Sequence, residues 1–200
     1  MFAVIAPFMP TKPDSRHRLN GVLVETFAAP GSGARLTATD GQILATVLHP
    51  ALDWPHPPTI VPRALVDWLA KHPDATLTYN PATATLTGAD ARTGATLTTI
   101  PIDDTYPNWR AVWPAHSHTT APDAPHPVGY DARLVARICK AAAAAAKLTG
   151  AQPERMPLQF ETFPNSNNRF TVALGADGAR LSGVIMPLRD TAAPMPDRPL

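Results

Sequence analysis

Residues Thr37–Ala45 read TATDGQILA. Arg35–Thr39 (RLTAT) alternates apolar and polar positions. Asp40–Gly41 is a tight-turn pair, and Gln42–Leu48 (QILATVL) runs back as a second alternating strand. A period of two on both sides of an Asp-Gly turn is the pattern of an antiparallel hairpin. Upstream, Leu19–Phe27 (LNGVLVETF) is apolar and β-branched and ends at the turn cluster Ala28–Gly33. Downstream, Pro50–Pro58 forms a loop. Pro62 suits the first turn of a short helix whose face would hold Ala64, Leu65, Trp68 and Leu69, closed by His72–Pro73.

Three more alternating stretches follow, Ala75–Tyr79, Ala84–Thr87 and Ala95–Ile102, with threonines on one face and apolar residues on the other. That is the pattern of a half-solvated antiparallel sheet. Asp103–Pro114 is irregular and aromatic, and Ala115–Pro127 is a Pro/His-rich linker. Asp131–Leu148 is the strongest helix, with Asp131 or Tyr130 as its cap and Thr149–Gly150 as its stop. Strands are expected near Leu158–Phe163, Arg169–Leu174 and Arg180–Pro187, then a frayed tail over Thr191–Leu200. Segregated helices among runs of strands define an α+β class with antiparallel sheets and two main helices, and exclude a doubly wound or barrel fold. The two helix-plus-strands units form a weak internal repeat.

The 200 residues are 44% hydrophobic, enough for a real core, and no apolar run approaches the ~18–20 residues of a membrane span. The N-terminal MFAVIAPFMP lacks a basic segment before its apolar stretch, so no signal peptide is expected. Cys139 is the single cysteine, which excludes an internal disulfide framework and a cysteine zinc cluster. These features point to a cytoplasmic protein. Seventeen Lys+Arg against sixteen Asp+Glu exclude a strongly basic nucleic-acid coat but leave room for a local stripe. The 24 prolines mostly punctuate the ends of apolar segments.

Arg133, Arg137, Lys140 and Lys147 fall on one face of the long helix and could meet a phosphate backbone; an ordinary solvated face is the alternative. Cys139 reads as an inert core thiol. His116, His118 and His126 could ligate a metal only if a third ligand were fixed nearby, and a Pro/Thr-rich loop supplies little rigidity. Asp40 and Asp103–Asp104 are the acidic candidates for a metal-dependent hydrolase using those histidines. Against it, adjacent carboxylates after a strand usually make a turn, and no nucleophile elbow, P-loop or dinucleotide fingerprint is present. Trp109 and Trp113, beside Tyr106, either anchor a connection between domains or line a binding groove.

Four patches, in order, resemble the bacterial DNA polymerase III β subunit, the ring-shaped sliding clamp. They are Arg16–Glu25 (RHRLNGVLVE), Thr37–Ala45 (TATDGQILA), Tyr106–Pro114 (YPNWRAVWP) and Val184–Arg189 (VIMPLR). The family counterparts are an R-x-x-LNG-V strand, an ATDGHRLA strand pair, an FPDYRRVLP connection and a terminal MPMRL strand. The resemblance implies a clamp-like domain over residues 1–114 that matches the second clamp domain without its first helix. It implies a linker over 115–127, a unit over 128–190 resembling the second half of the third domain, and a tail over 191–200.

In that family the last three motifs converge on a groove that docks short peptides. Carried over, the groove would use Thr39, Gly41, Leu44, Pro107, Val112, Met186, Pro187, Leu188 and Arg189. The implied partners are DNA polymerase or clamp-loader peptides, with duplex DNA on the basic helix and self-association into a ring as further expectations. Neither a cofactor, a metal nor catalysis is expected. Gln42 and Ile43 stand where the family has His-Arg. The chain is a little over half the family length, and the parts without a counterpart mostly build the ring and line its hole. A reduced clamp, acting as adaptor or competitor for clamp-binding peptides, is therefore the alternative to a ring.

Overall fold

The Asp40–Gly41 pair turns the chain between two antiparallel strands in a computed structural model of the protein, which describes residues 1–28, 33–113, 130–150, 152, 157–161, 168–174 and 180–186. The strands are β1 (Gly21–Thr26), β2 (Ala34–Thr39), β3 (Ile43–His49), β4 (Thr59–Pro62), β5 (Thr76–Asn80), β6 (Thr85–Asp90), β7 (Ala95–Thr99), β8 (Leu158–Glu161), β9 (Asn168–Ala173) and β10 (Arg180–Ile185). The helices are α1 (Phe2–Ile5), α2 (Arg63–Lys71) and α3 (Ala132–Thr149). The class is α+β, and every strand pair is antiparallel.

Seven strands form one sheet in the order β4-β1-β2-β3-β10-β9-β8, and β5-β6-β7 form a second. The joint between β3 and β10 pairs Leu44 with Val184 and Ile43 with Ile185, so the two units read from the sequence share one sheet. They also share one core: Leu65 and Leu69 from α2, Leu134 and Ile138 from α3, and Phe170 and Leu181 from the last strands belong to a single cluster. The division at the linker is thus a break in the chain order rather than in the packing. The linker, 115–127, and the tail, 191–200, lie outside the described residues.

Gly183 makes the joint possible. A Cβ at this position would stand 2.2 Å from the Leu44 carbonyl oxygen and 2.3 Å from Phe170 Cζ. Phe170 fills the space above Gly183 and stacks on Phe8, with ring centroids 5.9 Å apart.

At the N-terminus Phe2–Ile5 is helical and continues as a 3-10 turn through Phe8. Phe2, Val4, Ile5, Phe8 and Met9 are all buried, and they cover the sheet between α2 and α3. The segment is too short to be stable alone and holds its helical turn through this packing.

In α3, Asp131 accepts a hydrogen bond from the Arg133 N–H as N-cap, and Gly150 ends the helix at φ 69°. Leu134, Ile138, Ala141 and Ala145 recur at helical spacing and are buried. Cys139 sits well round the helix from that stripe and is exposed, which corrects the core reading of the thiol. On α2 the buried residues are Leu65, Val66 and Leu69; Ala64 faces solvent instead.

His49, at the end of β3, carries a pH prediction. Burial first, and then the charge of the Met1 amino group, hold its imidazole down at about 4 from an ordinary 6.5. Its Nδ1 is buried without a partner. The unfolded chain takes up this proton first, so the contribution is full above pH 6.5 and is lost as pH falls towards 4, by roughly 3 kcal/mol. Urea unfolding at about pH 7 and about pH 4.5 should show that loss, and His49→Leu should remove this part of the pH dependence.

Candidate functional site

The β2–β3 turn is built by its own side chains. Asp40 Oδ1 accepts the Gln42 N–H at 2.8 Å and the Ile43 N–H at 3.1 Å. Thr39 Oγ1 donates to the Ile43 carbonyl at 2.8 Å and accepts the Gly41 N–H at 3.0 Å. Gly41 takes φ 93°, a conformation that favours glycine. The Met186 N–H then donates to the Gln42 carbonyl at 3.1 Å, which ties the end of β10 to the turn.

A second wall comes from the connection after β7. Trp109–Val112 forms a 3-10 turn. Trp109 is buried with Leu23, Leu44 and Ile60, and Ile102, Tyr106 and Trp113 pack around them. Two cations flank the indole, with Arg110 at 4.2 Å and Arg35 at 5.4 Å from the ring. Both also meet buried Glu25, at 2.9 Å and 3.8 Å respectively. The Tyr106 hydroxyl donates to the Thr37 carbonyl at 3.3 Å, and burial pushes its ionisation well above the ordinary range. This wall is therefore held by aromatic packing and charge together.

Between the two walls lies an open cavity of about 420 Å³. Thr39, Gly41, Leu44, Pro107, Val112 and Met186 line it. Pro187, Leu188 and Arg189 lie outside the described residues. Val112 and Met186 are large apolar side chains left 43% and 40% exposed, so the rim offers hydrophobic surface to a ligand. Gln42 is exposed at the rim, whereas Ile43, which also borders the cavity, sends its bulk into the main core at 1% exposure.

Sequence reasoning missed Arg16, Arg18, Leu19, Asn108 and Val184, which complete the lining. Arg16 and Arg18 put two exposed cations beside the apolar slot, with side chains 51% and 43% accessible. Arg16 Nε and Nη2 also reach Asp14 at 2.9 Å and 2.8 Å, and this pair holds the Asp14 carboxyl down at about 2. Trp109, left between two roles, borders the cavity from within its buried cluster.

The basic face of α3 needs correction. Arg137 is turned inward, with its side chain 12% accessible. It pairs with Asp40 Oδ2 and donates to the carbonyls of Pro7 at 2.6 Å and Met9 at 2.8 Å, so three of its five N–H groups are engaged inside the fold and little of the side chain is open to a phosphate. It stands at the border of the buried stripe, where a long side chain reaches the N-terminal segment. Arg133, Lys140 and Lys147 are exposed, Arg133 pairing with Asp131 at 2.5 Å.

Among the described residues the acidic hydrolase candidates make no metal-binding group. Both Asp40 carboxylate oxygens are occupied, Asp103 and Asp104 are exposed, and Asp104 lies 3.9 Å from Arg18. His116, His118 and His126 fall outside the described residues. Among the described residues no group of three or more His, Cys, Asp or Glu side chains is placed to hold a metal, and no helix is long and apolar enough to cross a membrane.

No family model and no curated protein matches the chain. Solved structures do. A DNA polymerase sliding clamp from Pseudomonas aeruginosa, solved with a ligand, matches 93% of this chain over 62% of its own, at 18% identity and a TM-score of 0.58. The β clamp of Helicobacter pylori in complex with 3,4-difluorobenzamide matches 94% over 62%, at 12% identity and 0.56. The Caulobacter crescentus polymerase III β protein matches 92% over 62%, at 19% identity and 0.51. The chain therefore has the sliding-clamp fold, and it spans about 62% of the length of these relatives.

Proposed function

We propose that this protein docks short apolar peptides of DNA polymerases or other clamp clients, in replication or repair, through the groove between the β2–β3 turn and the Trp109–Val112 turn. The reading rests on one observation above all. Residues from three distant stretches of chain, around Thr39–Leu44, Pro107–Val112 and Val184–Met186, meet at one cavity with an apolar slot and exposed methionine and valine at its rim. Methionine adapts to varied side chains, and a slot with a few polar groups suits an extended peptide or a single helical turn. Arg16 and Arg18 favour a ligand with an acidic group beside its apolar anchors. The protein works by docking, without catalysis or a cofactor.

The test is fluorescence anisotropy of a labelled peptide taken from the clamp-binding segment of a bacterial polymerase. A saturable rise, lost in Met186→Asp, is expected. No rise at about 100 μM protein, where even a weak complex would form, overturns the reading.

The exposed Arg133, Lys140 and Lys147 of α3 support a second reading, in which an oligomer encircles duplex DNA. With Arg137 turned inward, three such contacts would give a log–log salt slope of about −2.7 on B-DNA. That is too shallow for strong binding without topological linkage. Inward-facing Arg137 thus favours the adaptor or competitor over the ring. Solution mass separates them: a monomer at low and high salt supports the adaptor, and a salt-stable closed oligomer supports the ring.

A further inference from the structure

We infer that Arg137 of α3 is a positioning residue for the groove, acting through Asp40; the inference rests on the peptide-docking reading. The route is a chain of named bonds. Arg137 Nη1 donates to Asp40 Oδ2. The other oxygen of the same carboxylate, Oδ1, holds the N–H groups of Gln42 and Ile43 at 2.8 Å and 3.1 Å. The Gln42 carbonyl in turn accepts the Met186 N–H at 3.1 Å. Arg137 therefore sets the direction of the carboxylate that shapes the turn, and the turn sets where Met186 stands.

The guanidinium is itself immobilised. Nε donates to the Pro7 carbonyl at 2.6 Å and Nη2 to the Met9 carbonyl at 2.8 Å, so three of its donors are fixed by two other segments. A planar fork held at three points transmits an orientation, which a flexible lysine ammonium would not. Asp40 and Arg137 are both mostly shielded, at 14% and 12% side-chain accessibility, so solvent screens their pairing little. From the far side Arg16 Nη2 donates to the Asp40 carbonyl at 3.2 Å, which leaves the turn gripped by cations on both flanks. Arg137 itself does not line the cavity. Loss of this pairing lets the turn sample other geometries, and the peptide must then restore the bound one at a cost in affinity.

Two variants test it. Arg137→Met removes the donor set but also leaves the Pro7 and Met9 carbonyls unpaired. Asp40→Asn keeps an oxygen for Gln42 and Ile43 and puts an uncharged NH2 donor in place of the oxygen that accepts from Arg137. Arg92→Met, in the turn after β6 with its side chain 71% accessible, is the control. Two readouts are taken on folded protein well below its melting point: the dissociation constant of the labelled polymerase peptide, and hydrogen exchange at the Gln42 and Ile43 amides. Asp40→Asn and Arg137→Met are each expected to weaken the peptide about tenfold and to speed exchange at both amides, with Arg92→Met unchanged. The double variant should cost no more than either single one, because both break the same link. Unchanged affinity and exchange in Asp40→Asn would overturn the inference, as would faster exchange with unchanged affinity in a wild type that binds. Where Arg137→Met does not fold, Asp40→Asn decides. A wild type that binds no peptide sinks the docking reading instead, and the exchange rates in Asp40→Asn then judge the Arg137–Asp40 link alone.

Discussion

Met186→Asp is expected to raise the dissociation constant of a docked peptide by at least ~30-fold while leaving the free protein folded. Met186 follows β10 and is 40% exposed, so the free protein gives up little packing when the thioether goes. The change in its stability should stay within about 0.5 kcal/mol, as at other surface positions. The bound state loses more. A ligand that covers the side chain gains about 1.5–3 kcal/mol from its apolar surface, and a carboxylate in its place must be stripped of water without a partner. Leu44→Asp would be a harsher change but a poorer test. Leu44 is 5% exposed and packs on Leu23, Ile60 and Trp109, so a charge there unfolds the second cluster along with the groove. Peptide anisotropy alongside a thermal melt separates the two effects. A Met186→Asp protein that melts normally yet binds as wild type would remove the methionine from the site.

Among the described glycines, Gly183→Ala should be the most damaging addition of a single methyl group. The added Cβ meets a backbone oxygen at 2.2 Å and the Phe170 ring at 2.3 Å, and neither can retreat. The oxygen belongs to Leu44 in the paired strand, and the ring is fully buried against Phe8. Overpacking of this kind costs roughly 3 kcal/mol, which for a chain of this size lowers the melting temperature by about 6–12 °C. Gly94→Asn is the matched control. Gly94 adopts φ 71° in a turn with nothing within 4 Å, and asparagine tolerates that conformation. A calorimetric melt should show a large drop for the first and a small one for the second. Equal melts would mean that β3 and β10 are not joined at this register. Because the joint carries Leu44 on one strand and leads to Met186 on the other, Gly183→Ala should weaken peptide docking as well.

What the sequence made readable was mostly local. The Asp-Gly turn, the alternation around it, the threonine-faced β5–β7 sheet and the capped α3 all follow from residues close in the chain. The resemblance then brought together groove residues from distant segments, which periodicity alone could not do. The pairing of β3 with β10 was not readable, because it joins segments some 140 residues apart and leaves no local mark except Gly183. The N-terminal segment was missed because MFAVIAPFMP is too short to show helical periodicity; its helical turn exists through burial against α2 and α3. Arg137 was misread for a related reason. Helical spacing places it in line with Arg133, Lys140 and Lys147, but its accepting carbonyls belong to Pro7 and Met9. Arg16 and Arg18 lay inside a quoted motif and still escaped assignment to the groove, because only the fold shows that this stretch runs beside the β2–β3 turn.

The most direct measurement is backbone amide chemical-shift mapping of the protein during titration with the labelled polymerase peptide. The expected result is a set of shifts confined to Arg16–Leu19, Thr39–Leu44, Trp109–Val112 and Val184–Met186, saturating together, with the amides of β5–β7 unmoved. Shifts that instead gather on Lys140 and Lys147 of α3, or on the β5–β7 sheet, would contradict peptide docking in this groove.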